Sequence, residues 1–247
     1  MSKQKPRNKP KKGTSEPAWK PSVVREYFLT IVICSVVALF VTTYVVHPMS
    51  VPTPSMEPTI LVGDRVLVDK FTIRNGFEAG LPLLPTYEIK RHDIIVCKSP
   101  IQPDILLVKR VIGLPGETLE IRDKVVHIQG KPLEESYTNH SDDRIYPTGN
   151  PHPLLPMDRD NYGPITITDD SYFVMGDNRD DSLDSRFWRF LPRHHIVGKP
   201  LFIFWSYEDG PDAHLKSTPW ELIQLYGERI LFFLTRTRWS RMGKLVR

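Results

Sequence analysis

Two residues in this chain have types and settings suited to nucleophilic catalysis. Ser55 stands in Pro52-Thr53-Pro54-Ser55-Met56-Glu57-Pro58-Thr59, a stretch stiffened by three prolines. Lys109 stands in the strongly apolar run Ile105-Leu106-Leu107-Val108-Lys109-Arg110-Val111-Ile112. A serine hydroxyl is a poor nucleophile until a base takes its proton. An amine can be that base only when neutral, and burial among apolar groups lowers its pKa because desolvation disfavours the charged form. In a strand, Lys109 shares its face with Ile105, Leu107 and Val111, a desolvating neighbourhood. Both residues also admit bland readings, a serine in an ordinary turn and a lysine snorkelling from a sheet edge. A third segment, Gly176-Asp177-Asn178-Arg179-Asp180-Asp181-Ser182-Leu183-Asp184-Ser185-Arg186, follows an apolar run and suits a rigid loop presenting Ser182, Asp184 and Arg186. None of the eight histidines sits in a recognisable catalytic context or at metal-ligand spacing.

The elements that must position these groups begin with a membrane span. Tyr27 to Val46 is twenty residues without a charge, and as a helix it reaches about 30 Å, the hydrocarbon thickness. A cleavable signal peptide has a shorter apolar region and a small-residue cleavage site, whereas this run ends Val45-Val46-His47-Pro48. It reads as a retained anchor, with the basic N-terminus in the cytoplasm and the remainder across the membrane. Residues 1–26 hold eight Lys/Arg against two Glu, a balance of +6, and residues 226–247 hold six against one, a balance of +5. Residues 27–225 hold 19 basic and 26 acidic residues, a balance of −7. A nucleic-acid binder carries its basic patch on the folded body, so this distribution speaks against that class. Cys34 lies in the span and Cys97 in a predicted strand, so no intrachain disulfide is expected.

The abundant proline, 23 residues, favours a mainly β body. Strands are predicted at Arg65–Phe71, Asp93–Cys97, Ile105–Ile112, Tyr172–Met175 and Ile196–Trp205, the last with a break near Gly198 and Pro200. Thr118–Arg122 and Val125–Gln129 read as a hairpin turning at Asp123-Lys124. Gly76–Thr86 reads as a loop, and the polar stretch from Pro132 to Pro164 as an excursion from the body. Near the C-terminus, Thr218, Pro219 and Glu221 form a helix-start signature. The helix that follows reads either as interfacial, lying on anionic lipid, or as a packed terminal helix with a solvated basic tail. The organisation expected is a basic, disordered tail over 1–26, a transmembrane helix over 27–46, a catalytic β domain over 47–118 and 166–215, an inserted polar lobe over 119–165, and an amphipathic helix with a basic tail over 216–247.

Four blocks in order resemble the type I signal peptidases, membrane-bound Ser–Lys proteases that remove signal peptides from exported proteins. They are Ser55-Met56-Glu57-Pro58-Thr59; Gly63-Asp64-Arg65-Val66-Leu67-Val68-Asp69-Lys70; Lys109 to Glu117; and Gly176-Asp177-Asn178-Arg179 with Ser182, Asp184, Ser185 and Arg186. The resemblance covers about residues 48–205 and implies a signal-peptidase-like β-sheet body with a small inserted lobe. It implies that Ser55 attacks the scissile carbonyl, Lys109 takes its proton, and Ser182 hydrogen-bonds and aims the amine. It further implies a supporting Asp184–Arg186 ion pair and an oxyanion site made by the Ser55 N–H and the Thr53 hydroxyl. Many relatives have serine at the position of Thr53, and glycine is frequent at that of Pro54. Proline fixes φ and donates no hydrogen bond, so the turn must accommodate it. Met49, Val51, Ile60, Leu107 and Val108 match positions that line the substrate pockets for small residues at −1 and −3. The implied partners are signal-peptide-bearing precursors and membrane lipid, with no nucleic acid, no metal and no organic cofactor. The implied location is the cell (inner) membrane, single-pass, with the catalytic domain on the extracytoplasmic side.

Three rival readings remain open. A self-cleaving repressor shares the dyad but needs a DNA-binding domain and no anchor. A processing protease with one dedicated client has the same residues. A catalytically silent, membrane-tethered binding module would lack Ser55 or Lys109.

Overall fold

The computed structural model describes residues 23–73, 87–147, 159–208 and 218–247. The tail before residue 23, the loop expected at Gly76–Thr86, and residues 148–158 of the polar stretch lie outside the described residues.

The first compact unit ends at Phe40 and contains helix α1, Val23–Phe40, none of whose residues is buried. A wider π-helical turn, Val41–Val45, continues it, giving a helical run of 23 residues long and apolar enough to cross a membrane. The run starts four residues earlier than expected from charge alone and stops one residue sooner. Arg25 and Glu26 sit near the helix start, while Val46 is claimed by a strand.

The second unit, Val41–Arg247, is built on two antiparallel sheets. The strands of the larger sheet are β1 (Val46–Ser50), β2 (Asp64–Asp69), β3 (Ile94–Lys98), β4 (Leu106–Gly113), β9 (Ser171–Met175), β10 (Leu191–Pro192) and β11 (Ile196–Ser206). Their spatial order is β1-β2-β11-β3-β4-β9-β10. The smaller sheet has the order β7-β6-β5-β8, from β5 (Thr118–Arg122), β6 (Val125–Ile128), β7 (Lys131–Pro132) and β8 (Tyr162–Thr166). Asp123 and Lys124 both adopt positive φ, 47° and 70°, as a tight hairpin between β5 and β6 requires. The bends expected in β11 are register shifts rather than a break: the strand stays paired through bulges at 196/198, 200/202 and 203/205.

The runs of unbroken hydrophobicity follow from burial on both faces. On β3, Ile94 and Val96 enter a cluster with Val51, Met56, Ile60, Val66, Val108 and Ile203. Ile95 and Cys97 point the other way, into a cluster with Val111, Val174, Leu191 and Ile196. A third cluster joins the two sheets, with Leu119, Ile121, Val126 and Ile128 of the smaller sheet against Ile112, Phe173 and Met175 of the larger. The stretch over 119–165 therefore holds an apolar sheet face as well as its polar segments.

Three further α-helical elements follow β9 in the chain. Helix α2 is a single turn, Ser185–Trp188, capped by the Asp184 side chain. Helix α3, Pro219–Leu231, has the anticipated capping box between Thr218 and Glu221, and a further turn, α4, spans Phe233–Arg236. The basic tail after α4 is not a solvated appendage. Gly243 N donates to Ile203 O (2.8 Å), Ile203 N to Lys244 O (3.0 Å) and Val246 N to Leu201 O (3.0 Å). These bonds lay the tail along β11 and seat Val246 in the first cluster.

Phe173 is fully buried where the sheets meet. Replacing Phe173 with Ala should cost about 3–5 kcal/mol in urea unfolding of the detergent-solubilised protein. A loss below about 1 kcal/mol would mean that the sheets do not share a core.

Candidate active site

The turn that carries Ser55 hangs between β1 and β2. Val51 N donates to Asp64 O (2.9 Å) and Gly63 N to Val51 O (3.0 Å), so the loop between them is closed at its base. Within it, Pro54–Met56 form a 3-10 turn with Thr53 as its N-terminal flank, at φ −119° and ψ 149°. Pro54 takes the first position of this turn, where a missing N–H costs nothing and a fixed φ helps. The early N–H groups of such a turn lack partners inside it, which leaves the Ser55 N–H suited to an incoming oxygen. Thr53 is exposed, and its hydroxyl makes no capping hydrogen bond.

Lys109 reaches this turn from β4. Its Nζ lies 2.8 Å from Ser55 Oγ, and both side chains are buried. On β3 Lys109 is paired with Ile95. On the other side, the pairing of β4 with β9 begins at Arg110↔Met175, so Lys109 faces the loop that opens at Gly176 instead of a strand. Burial lowers the amine's pKa from its ordinary value, and the nearby Arg186 guanidinium pushes the same way; the Asp184 and Asp177 carboxylates oppose them. The Cys97 thiol is itself pushed up to about 12 by burial. It is therefore uncharged at neutral pH and supplies no counter-charge.

The loop from Gly176 to Arg186 is held by buried ion pairs. Arg186 grips Asp184 through Nε–Oδ1 and Nη2–Oδ2, each 2.9 Å, and Gly176 N donates to Asp184 Oδ2 at 3.0 Å. Burial alone would raise the pKa of Asp184, but Arg186, Lys109 and the Gly176 N–H together hold its carboxyl below the usual range. Arg186 also donates to the carbonyl of Arg179 at 2.6 Å, fastening the loop to itself. A second pair, Arg110 with Asp177, is bidentate at 2.8 and 2.7 Å. Thr59 Oγ1 donates to the same carboxylate at 2.6 Å, so Asp177 ties β4 to the Ser55 turn. Asn178 closes the arrangement: its N–H donates to Ser55 O (3.1 Å) and its Nδ2 to Pro54 O (3.3 Å). Among the described residues, no group of three or more His, Cys, Asp or Glu is placed to hold a metal.

The model of the family described as signal peptidase, peptidase S26 matches residues 24–205. The chain belongs to this family. A signal peptidase I from Leptolyngbya laminosa is 34% identical over 187 residues, covering 74% of this chain and 81% of the relative. Signal peptidase I S of Bacillus subtilis (strain 168) is 33% identical over 196 residues, covering 79% and 96%. A crystal structure of a signal peptidase I from Enterococcus faecalis V583 is 35% identical, covers 46% of this chain and 97% of its own, and gives a TM-score of 0.36.

The candidate residues of this S26 chain do not all come together as expected. Ser55, Lys109, Asp184 and Arg186 do. Ser182 lies close by at Gly176, but its buried Oγ has no hydrogen-bond partner among the described residues, so it is not bonded to the Lys109 amine. The pocket candidates also divide. Val51, Ile60 and Val108 are core residues of the first cluster, with Met49 packed against them, and Ile60 has no exposed surface. Leu107 is half-buried on the opposite face. Val51 and Ile60 pack in the first cluster with Met56 of the Ser55 turn. The sequence reasoning passed over Arg110, Thr59, Asp177 and Asn178 as site residues. They lie inside the quoted blocks, adjacent to or a few residues from the candidates, and that adjacency was the available signal.

Gly176 is where the loop and the turn approach most closely, since a Cβ there would collide with both Ser55 O and Ser182 Oγ. Gly176→Ala should therefore displace the turn from Lys109 and lower peptide cleavage by about 100-fold, while the β signal in circular dichroism persists. Wild-type cleavage by that variant would show that the close approach is not needed.

Proposed function

We propose that this chain is a membrane-anchored serine endopeptidase that removes signal peptides from exported precursors, with Ser55 as nucleophile and Lys109 as general base. The observation that carries the reading is the 2.8 Å contact between a buried amine of lowered pKa and a hydroxyl on a rigid turn. The neutral Lys109 amine accepts the Ser55 proton as Oγ bonds to the scissile carbonyl carbon. The resulting oxyanion is met by the Ser55 N–H, a donor already in place before charge develops. The Lys109 ammonium then gives its proton to the leaving amine, and the C–N bond breaks to leave an ester on Ser55. Water enters next: Lys109 takes a proton from it as its oxygen bonds to the ester carbon, then returns that proton to Ser55 Oγ as the C–Oγ bond breaks, which restores the hydroxyl and the neutral amine.

Asp184, Arg186, Arg110 and Asp177 touch no reacting atom in this scheme. They fix the loop and the turn against which Lys109 is held. Ser182 is assigned the task of aiming the ammonium once it forms, a task supported by its buried, unpartnered hydroxyl beside Gly176. Met49 and Leu107, each half-buried, are the better candidates among the five for contact with small side chains at −1 and −3. The basic residues before the span favour a cytoplasmic N-terminus, which puts the catalytic body on the extracytoplasmic side of the cell membrane, near lipid.

A precursor with an Ala-x-Ala junction should be cut after the second alanine by the wild type in detergent. Ser55→Ala and Lys109→Met should each lower that rate by about 10⁴-fold or more. Retained cleavage by Lys109→Met would place the base elsewhere. Silence of the folded wild type would favour a dedicated client.

The lowered pKa has two further consequences of opposite kind. Only the neutral amine works, so kcat/KM should fall about tenfold per pH unit below the folded-state pKa of Lys109 and level off above it. For stability, the unfolded chain binds a proton at Lys109 up to its ordinary value while the folded chain releases it sooner. Stability from this group therefore rises with pH between the two values and is least below the folded one. Lys109→Met removes that cost and should melt at or above the wild-type Tm at neutral pH; a clear drop in Tm would mean that the ammonium is favourably paired.

A further inference from the structure

Between β7, which ends at Pro132, and β8, which begins at Tyr162, the chain leaves the smaller sheet. Part of this excursion, residues 135–142, lies against the loop that opens at Gly176. Asn139 and Asn178 form an isolated parallel bridge: Asn139 N donates to Asp177 O (2.8 Å) and Arg179 N to Asn139 O (2.9 Å). Glu135 takes the Arg179 guanidinium on both oxygens, Oε2 from Nη1 at 3.0 Å and Oε1 from Nη2, with side chains only 7% and 3% exposed. A carboxylate is costly to bury unless it is paired, so Glu135 commits its segment to one seat on the loop. Farther along, Asp142 N donates to Asp180 Oδ2 at 2.8 Å.

The same segment also grips β4. The Tyr137 ring packs against the third cluster, and the Arg110 guanidinium carbon stands 3.9 Å from its centroid. The edge of Arg110 is fully used, by Asp177 on Nε and Nη2 and by the carbonyl of His92 on Nη1 at 2.8 Å. The Tyr137 hydroxyl donates to Glu135 Oε1 (2.8 Å), so it accepts from His92 Nδ1 (2.8 Å). Burial, and then the Glu135 carboxylate, push the phenol's pKa up, so it keeps that proton. Arg110 follows Lys109 in β4, and Asn178 holds the Ser55 turn by two bonds. From Arg179 the hold continues inward, since its carbonyl accepts from Arg186, which grips Asp184. Glu135, Tyr137 and Asn139 all lie outside the four blocks of resemblance.

We propose that Glu135 and Tyr137 are positioning residues for peptide cleavage, strapping loop 176–186 to β4 and so keeping the Ser55 turn at bonding distance from Lys109. They touch no reacting atom. Glu135 fixes the loop through Arg179, and Tyr137 fixes Arg110 by covering its face while Asp177 occupies its edge. Loosening either lets Asn178 leave the Ser55 and Pro54 carbonyls, and the turn then samples positions in which Oγ and the amine are apart. Residues assigned to substrate contact lie on β1 and β4, so the loss falls on kcat. This rests on the Ser–Lys peptidase reading above, and the experiment separates the two.

The full chain in detergent is compared as wild type, Glu135→Gln, Tyr137→Leu and Tyr137→Phe. Amide hydrogen exchange needs no substrate. The Asn178 N–H should exchange at least about tenfold faster in Glu135→Gln and Tyr137→Leu, while the Ile203 N–H, bonded to Lys244 O, keeps its wild-type rate. In cleavage of the Ala-x-Ala precursor, the same two variants should lose about 30-fold in kcat with KM within about twofold. Tyr137→Phe keeps the ring on Arg110 and should retain at least about a third of wild-type kcat. Glu135→Gln combined with Asn178→Ala should be within about twofold of the slower single variant, because both act through one hold on the Ser55 turn. Multiplied losses would make Glu135 a remote stabiliser and overturn the proposal. So would wild-type exchange at Asn178, wild-type kcat with Asn178 loosened, or fast exchange at Ile203, the mark of a fold loosened throughout. A fast Asn178 amide in variants of a protein whose wild type cuts no precursor would uphold the strap on the Ser55 turn and contradict the peptidase reading instead.

Discussion

A lysine amine taken out of water is held more cheaply neutral than charged, and the rest of this structure is arranged around that fact. Lys109 is buried within 2.8 Å of the Ser55 hydroxyl, and its nearest charged neighbours pull in opposite directions. Asp184 would restore the proton, but it is engaged by both arms of Arg186 and by the Gly176 N–H. The Arg186 guanidinium offsets part of the field that Asp184 alone would direct at the amine. A carboxylate left free at that depth would favour the ammonium and remove the base.

Holding two side chains from distant parts of the chain at hydrogen-bond distance requires both backbones to be fixed. β4 is central in the larger sheet and is buried on both faces, so the position of Lys109 is set by the two hydrophobic clusters. The Ser55 turn has no ladder of its own. It is fixed from below by Met56 and Ile60 in the core, from the side by Thr59 on Asp177, and from above by Asn178 on two successive carbonyls. The docked tail adds a further hold, since Arg241 donates to Thr59 O and pairs with Asp64 at the foot of the turn. Breaking a buried ion pair by removing one partner costs about 3–5 kcal/mol, so these loops resist movement out of proportion to their length.

Much of this was legible in the sequence because each signal was local. Five strands of the larger sheet, β2, β3, β4, β9 and β11, showed as apolar runs of the right length, the β5–β6 hairpin as Asp123-Lys124 between alternating segments, and the start of α3 as Thr218, Pro219 and Glu221. β1 was missed because Val46–Ser50 contains a histidine and a proline and follows the apolar run without a break. β8 was missed because Tyr162–Thr166 carries a glycine and a proline, and its pairing with β5 spans a long excursion. One of the two readings of the C-terminal segment left its basic tail in solvent, because lysines and arginines suggest water, whereas the backbone bonds of the tail to β11 do not depend on side chains. In the site, Ser55 and Lys109 declared themselves by type and setting. Ile60 and Val51 match pocket positions by resemblance, and tertiary packing shows them buried in the first cluster. Asp177 looks like one more acid in a polar loop until Arg110 and Thr59 are seen on its two oxygens.

The central claim is that Lys109 is neutral at working pH because it is buried beside Ser55. Direct titration of the Lys109 Nζ resonance in protein with ¹⁵N-labelled lysine, assigned by comparison with Lys109→Met, tests it without relying on turnover. The account predicts a midpoint clearly below the ordinary 10.5, rising when Arg186 is replaced by glutamine. A midpoint at or above 10.5 would contradict it, because the amine would then be an ammonium at neutral pH and unable to accept the serine proton.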